Sequence, residues 1–510
     1  MKSQTNLPSQ LIKEIEEIVG KENVSINPVE LKAYSRDILP REIISLQYGK
    51  LPSPPQLVVW PGSTEEVRAV AHLADKYQIP IIPLGGASGV CGGTIALRGG
   101  ITIDLKRMNR ILNIDEISLL AEVESGIIGE WLERKLNQKG YTLGHFPSSI
   151  YCSTLGGWIA TRGAGQLSSK YGKIEDMVVS LEVVLPDGSL LRTRTVPRSA
   201  TGPSLNHIFI GSEGTLGIIT KAVLRIWKYP EERIFQGFMF PDLHQALTAI
   251  RLIFQQGLKP AVVRLYDPVD TFFSSFGGTL EEKEEKPKKS KKEKRALINL
   301  LRRSIPYIYH PWFANRLIQR FAHHSKLVLV FEGESETTAL EHKIACQICK
   351  EQGGIDLGEA PAKNWWKHRY RVSYTMSVAF DFGFFVDTIE VATLWDNLEN
   401  LYYTMQRAIS KNALVMAHFS HAYREGCSIY FSIASTAKTY KDKLRLYDQI
   451  WKDALDACQK AGGALSHHHG IGFLKAKWMQ SEQGGASPLL SAIKRAIDPK
   501  GIMNPGKLGI

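Results

Sequence analysis

Cysteine is scarce in this chain, with six residues among 510. That density excludes a small disulfide-stapled scaffold. Only Cys346 and Cys349 stand at CxxC spacing, and no second CxxC or histidine pair completes a zinc site. The pair reads as two thiols on one helix, and reduced thiols point to the cytoplasm. Long apolar runs are also missing: none reaches the ~20 residues of a membrane span. The N-terminus lacks a charged-then-apolar signal pattern and reads as a capped amphipathic helix. No GxGxxG opens a helix after the first strand, and no GxxxxGK[ST] occurs, which argues against the usual dinucleotide fold and a P-loop ATPase. No solenoid repeat emerges. Acidic residues are outnumbered, 51 against 63 Lys and Arg, for a formal charge of +12. Such a chain attracts anions: nucleic acid, an anionic membrane surface or phosphorylated small molecules. No nucleic-acid-binding signature is present, so nucleic acid is not an expected partner.

What the chain has is glycine in three places. Residues 144–176 (GHFPSSIYCSTLGGWIATRGAGQLSSKYGKIED) are dense in Gly, Ser and Thr. Residues 83–93 (PLGGASGVCGG) and 211–219 (GSEGTLGII) are similar. Gly takes positive φ and lets a backbone approach a ligand closely. One such loop reads as tight turns. Three, each beside β-rich apolar runs, point to one extended ligand laid across several loops.

The length predicts two or more domains. Residues 1–50 read as an N-terminal helical segment and 51–229 as one α+β unit. Within that unit, LVVWP, a helix capped by Ser63 or Thr64, and IPIIPLGG form a strand–helix–strand signal. MVVSLEVVLPDGSLLRT reads as a hairpin turning at Pro186-Asp187-Gly188. Residues 230–425 read as a second domain, an antiparallel sheet with helices on one side. It carries a mixed-charge, low-complexity insert at about 281–295. Residues 296–321 are apolar and aromatic with interleaved arginines. They read as a packed helix or as an amphipathic segment on an anionic membrane. Residues 426–510 read as a C-terminal segment, mostly helical from Tyr440 onward.

In order and spacing, PLGGASG, PSSIYCSTLGGW, RGAGQ, YGKIEDMV and GSEGTLGIIT resemble the PCMH-type FAD domain of the vanillyl-alcohol oxidase superfamily. The resemblance implies an α+β fold. A two-subdomain FAD-binding domain carries an inserted antiparallel-sheet cap domain, and a C-terminal segment returns to the FAD side through IDPKGIMNPGKL. It also implies FAD as cofactor. The backbone of Pro83, Leu84, Gly85, Gly86, Ala87, Ser88 and Gly89 would hold the pyrophosphate. Ser148, Ser149, Ile150, Ser153, Thr154, Gly157, Arg162, Gly163, Ala164 and Gly165 would line the rest. So would Glu213, Gly214, Thr215, Leu216, Gly217, Ile218 and Ile219. Ala87 and Ser88 stand where a linking histidine occurs in members with covalent flavin, so FAD is expected to be non-covalently bound.

The C-terminal half separates the branches. The D-lactate and 2-hydroxyglutarate dehydrogenases typically carry HxGDGNxH and then GEHGIG. Here HFSHAYREGCSIYF lacks the GDGN core, and SHHHGIG has His468 where the Glu would be. Two probable metal ligands are thus replaced, and no metal is expected. The triple histidine and CSIYF look instead like the alkyldihydroxyacetonephosphate synthases of ether-lipid biosynthesis. In that group a fatty alcohol replaces an acyl chain through a flavin–substrate adduct, without net redox. By this resemblance Tyr430 is the catalytic acid/base, a role helped if neighbouring cations lower its pKa. His467, His468 and His469 surround the reacting carbon, and Arg264 is the arginine near it. Ser148 replaces a family Asp, and Met376 stands where the family has a substrate-binding Arg. That loss of a charge-assisted contact keeps a second reading open, an FAD-dependent oxidase or dehydrogenase of a 2-hydroxy acid or other alcohol. The expected partners are a small, lipid-like substrate, an anionic membrane surface touched peripherally at the inner face, and a second copy in a homodimer.

Overall fold

The computed structural model describes residues 7–50, 52, 54–281, 311–371, 377–381 and 383–510. The chain divides into two compact units, Met1–Tyr229 with Ser466–Ile510, and Pro230–Leu465. Residues 282–310, which hold nearly all of the charged insert and half of the apolar stretch, lie outside the described residues, as does Met376.

In the first unit, four strands make a small sheet: Val24–Ser25 (β1), Leu57–Val59 (β2), Ile81–Leu84 (β3) and Ile101–Asp104 (β4), in the order β1-β2-β4-β3. The expected strand–helix–strand unit is present, with β4 inserted between its two parallel strands. Its helix, Thr64–Tyr77, starts where Ser63 Oγ accepts from the Glu66 N–H and ends at left-handed Gln78. The helix buries Val67, Val70, Ala71 and Ala74 against β2–β4 in a fully enclosed core. The chain end joins the same sheet: Ile81 N–H donates to Ile502 O at 2.8 Å, and Asn504 N–H donates to Ile81 O at 2.8 Å.

A five-stranded sheet comprises Ile111–Asp115 (β5), Leu120–Glu124 (β6), Val178–Val184 (β8), Leu190–Arg192 (β9) and Ile218–Arg225 (β10), ordered β5-β6-β10-β8-β9. Tyr141–Thr142 (β7) pairs with Trp227–Lys228 (β11). The expected hairpin is β8–β9. Its turn is set by Gly188 at φ 86° and by Asp187 Oδ1, which accepts from the Ser189 N–H.

In the second unit, seven strands pair antiparallel throughout. They are Glu232–Phe240 (β12), Val262–Tyr266 (β13), Ser325–Gly333 (β14), Ile355–Gly358 (β15), Phe385–Leu394 (β16), Leu414–Ala422 (β17) and Gly426–Ser435 (β18). Their order is β15-β12-β14-β13-β17-β18-β16. A boundary after residue 425 does not hold: β18 pairs with β17 on one edge and β16 on the other, and the Ala464 N–H donates to Ala392 O, so the unit runs to Leu465.

The side-chain period of two gives the sheet two chemically different faces. Leu265, Phe331, Phe419 and Phe431 point to one of them and are buried. Four helices cover it: Leu243–Gln255, Ser335–Glu351, Leu398–Ile409 and Tyr440–Lys460. Tyr402 packs on Phe419 and Phe431, and Tyr447 packs on Phe385. One helix departs from the expected single-sided arrangement. Ala360–His368 packs against the opposite face, where Gly237 leaves room for Pro361 and a Cβ there would stand 2.9 Å from its Cγ. The C-terminal stretch is less helical than expected: Tyr440–Lys460 and Ser487–Ile497 are separated by an irregular histidine loop.

Candidate active site

The first unit brings the glycine segments together. A Cβ on Gly85 would stand 2.0 Å from Thr154 Oγ1, and one on Gly86 would stand 1.9 Å from Cys152 O. Only glycine allows residues 83–89 to lie this close to residues 148–154. Ala87 takes φ 46°, a conformation L-residues rarely adopt, which marks a built loop. Among the described residues, no N–H of Gly85 to Gly89 has a hydrogen-bond partner within the protein. Five such donors in a row on a loop between two turns make a cradle for an anion. Lys106 Nζ holds the loop by donating to Gly85 O at 3.1 Å, and is itself held by Asp104 at 2.6 Å.

Thr154 caps the short helix Leu155–Thr161 through its side chain. The helix ends at Arg162, left-handed at φ 52°, whose Nε donates to Ile210 O. The Gly211 and Glu213 N–H groups return to Ile159 and Ala160, so residues 211–219 are tied to residues 159–165. Gly214 closes on Pro83, where a Cβ would stand 3.0 Å from Cγ. Four sequence-separated segments thus border one another.

Within these segments the roles differ. Ser153 Oγ is consumed locally, donating to Ser149 O and accepting from Trp158 Nε1. Ser148 Oγ accepts from Gln166 Nε2. The side chain of Ile218 belongs to the apolar core under β2–β4, and Leu216 and Ile219 are also buried. Glu213, at φ 49°, turns its carboxylate away from any ligand role: it accepts from the Ile471 N–H at 2.6 Å and the Gly472 N–H at 2.8 Å. Burial pushes its carboxyl up, against those two donors and the charges of Lys475 and Lys507.

The histidine loop therefore hangs from the cradle. Lys173 Nζ donates to His467 O at 2.7 Å, and the Phe473 N–H donates to Cys91 O. His467 Nδ1 lies 3.1 Å from His468 Nδ1, and the His468 and His469 rings meet at 4.6 Å. Sequence reasoning missed two neighbours. His145 is buried, both its ring nitrogens lack partners, and its ring lies 4.5 Å from Trp158. Burial, with Lys173 nearby, pushes it down to about 3, so it is neutral. Asp37 lies against Gly89, and burial pushes it up to about 7. It was hidden because residues 1–50 read as a separate helical segment.

In the second unit, the candidate catalytic residues stand on the polar sheet face. Strand register places Tyr266 of β13 opposite His418 of β17, His418 opposite Tyr430 of β18, and Tyr430 opposite Glu390 of β16. Directly opposed residues share a face. His418 stacks on Tyr430 with ring centroids 4.6 Å apart, and Arg264 Nη2 meets His418 Nδ1 at 3.2 Å. Tyr430 does not have the lowered pKa that nearby cations would give it. Burial pushes it up to about 12, and Asp387 and Glu390 add to this, outweighing the Thr388 hydrogen bond and the Arg264 charge. At neutral pH Tyr430 is a proton donor. Glu390, fully buried beside it, was not picked out in the sequence because only register reveals the pairing.

Comparison with known proteins fits this cradle. The FAD binding domain family matches residues 55–194, and the C-terminal domain of FAD linked oxidases matches residues 229–508. Alkyldihydroxyacetonephosphate synthase of Dictyostelium discoideum is 35% identical, covering 92% of this chain and 75% of that protein. YgcU of Escherichia coli K12, an uncharacterized FAD-linked oxidoreductase, is 30% identical over 98% of both chains. A solved structure of alkyldihydroxyacetonephosphate synthase superposes with TM-score 0.79 at 30% identity, covering 98% of this chain and 86% of the other. A row of unpartnered N–H groups beside glycines that admit no Cβ suits the FAD pyrophosphate. The chain belongs to the FAD-linked oxidase family of the vanillyl-alcohol oxidase, PCMH-type fold, as an FAD-dependent enzyme similar over most of its length to alkyldihydroxyacetonephosphate synthase.

Proposed function

We propose that this enzyme exchanges the acyl chain of an acyl-dihydroxyacetone phosphate for a fatty alcohol, the reaction implied by its resemblance to relatives named alkyldihydroxyacetonephosphate synthase. The observation that carries the reading is the array of Arg264, His418 and Tyr430 on one sheet face, a protonated phenol stacked beside a cation-linked imidazole. One C–O bond to the departing carboxylate breaks, and one to the alcohol oxygen forms. The alcohol's proton leaves with the fatty acid, so nothing is oxidised overall. Tyr430 supplies a proton to the departing oxygen and recovers one from the incoming alcohol. Arg264 supplies fixed positive charge beside His418. His467, His468 and His469 would serve as proton carriers, a role imidazole suits. FAD would be held non-covalently by residues 83–89, 148–165 and 213–219, and would supply an electron-accepting ring. Acid precipitation should release all of the flavin into the supernatant. Ether product from acyl-dihydroxyacetone phosphate and hexadecanol, lost with the flavin, is the expected result; its absence in holoprotein rejects the reading.

A second reading rests on Met376 and on the oxidoreductase relative: FAD-linked oxidation of a 2-hydroxy acid or other alcohol. Anaerobic bleaching of the flavin by D-lactate or glycolate would establish it. We place the enzyme in the cytoplasm, as a homodimer resting peripherally on an anionic inner membrane surface. The helix Pro311–Gln319 supports the surface contact. Its Trp312, Phe313 and Leu317 are exposed, as is Phe321 beyond it, and Arg316 lies over Trp312. No helix among the described residues is long and apolar enough to cross a membrane.

A further inference from the structure

The polar row on the second unit's sheet continues past Arg264. Lys326 of β14 stands opposite Tyr266 of β13, so it extends the line through His418 to Tyr430 by two strands. Lys326 Nζ lies 5.0 Å from the Tyr266 ring, and the Arg264 guanidinium lies 5.2 Å from the same ring. Two cations therefore share one aromatic neighbour. Neither is within ion-pair distance of a carboxylate among the described residues. Among the described residues, the Lys326 ammonium donates to Ser274 Oγ at 2.6 Å and to no other side chain, and Arg264 Nε is buried without a hydrogen-bond partner. Asp270 is the near carboxylate, at electrostatic range of both but at contact with neither. Burial raises it to about 6, so at neutral pH it offsets one positive charge. Burial lowers Lys326, as does the Arg264 charge. Paired, half-buried cations with unused donors are costly unless an anion completes them.

We propose that Lys326 and Arg264 form an anion subsite that holds the phosphate of a three-carbon phosphate ester. The inference rests on the acyl-exchange reading and names its head-group contacts. Three strand spacings of about 4.8 Å separate the backbones of Lys326 and Tyr430, roughly 14 Å in all. Side chains shorten that gap to the reach of a short ester lying along His418, with its first carbons near the phenol. A lysine here also answers a gap in the sequence, since Met376 occupies the position where the resemblance leads one to expect a substrate-binding arginine.

The test is calorimetric titration of holoprotein with dihydroxyacetone phosphate, inorganic phosphate, dihydroxyacetone and D-lactate, in wild type, Lys326→Met and Lys326→Arg. The expected result is weakening of dihydroxyacetone phosphate and phosphate by roughly ten-fold or more in K326M, as befits a lost charge-assisted contact. K326R should bind within about three-fold of wild type, and dihydroxyacetone should be unaffected. Should K326M melt early, Lys326→Gln takes its place. Unchanged dihydroxyacetone phosphate binding in a folded charge-removing variant overturns the proposal, and so does an equal loss of D-lactate. Ether formation, assayed in parallel, separates the two claims. Ether made by wild type with a KM that K326M leaves alone sinks the subsite only. No ether, but Lys326-dependent phosphate binding, sinks the reaction and keeps the subsite.

Discussion

In the proposed reaction Tyr430 is the residue on which the chemistry turns. A phenol with a raised pKa rests protonated and is a weak acid, so it cannot start as a base: it must first give a proton and only then take one. Tyr430→Phe keeps the ring stacked on His418 and removes the proton. Turnover should fall by roughly 10²- to 10⁴-fold with KM within about three-fold, the pattern of a group acting in the transition state. The pH profile follows from the same burial. With its pKa near 12, Tyr430 stays protonated through the working range, so any alkaline limb it causes lies above about pH 11. An alkaline limb near pH 9 that vanishes in Y430F contradicts this. Some residues announced themselves in sequence and others did not. Tyr430, the triple histidine and the leading His418 could be singled out through their motifs. Lys326 and Glu390 could not, because their place comes from which strands stand side by side, and register is not written in local sequence.

At the scale of elements, Glu213 shows how a glycine segment can build two things at once. Its backbone closes the cradle against residues 159–160, and its carboxylate suspends the loop that carries His467 to His469. The glycines of the segment could be read from sequence, but the direction of that side chain could not. Glu213→Ala leaves two buried N–H groups without an acceptor, at a cost of about 1–3 kcal/mol each. The variant should melt lower and lose turnover, while its flavin, held by backbone donors elsewhere, remains bound. Loss of flavin in step with turnover would show the carboxylate serving the cofactor instead. β18 illustrates a missed strand. Ser428, Tyr430 and Ser432 alternate with Ile429, Phe431 and Ile433, a period-two pattern. A boundary at 425 cuts this strand from the sheet to which β16 and β17 bind it. β15 was missed for another reason: all four of its residues are exposed, so no apolar alternation exists to read.

At the scale of the whole molecule, the α+β character, the FAD domain, the inserted antiparallel sheet and the returning C-terminus were all legible. Each rests on runs of residues long enough to carry a pattern. The excess of basic residues was legible too, and it frames the surface prediction. Sedimentation with vesicles containing phosphatidylserine should carry down wild type more than a quadruple variant with Ala at Trp312, Phe313, Leu317 and Phe321. Added salt should weaken both, since exposed charges are screened. Equal sedimentation of the two proteins refutes membrane contact by this helix.

The acyl-exchange claim meets its most direct test in one labelled turnover. Holoprotein is given acyl-dihydroxyacetone phosphate and hexadecanol carrying ¹⁸O under anaerobic conditions, with the flavin spectrum followed and the products analysed by mass. The account predicts an ether containing the alcohol's ¹⁸O, one released fatty acid per ether, and flavin that ends oxidised. Flavin that ends reduced, with a ketone or aldehyde formed and no labelled ether, would contradict it.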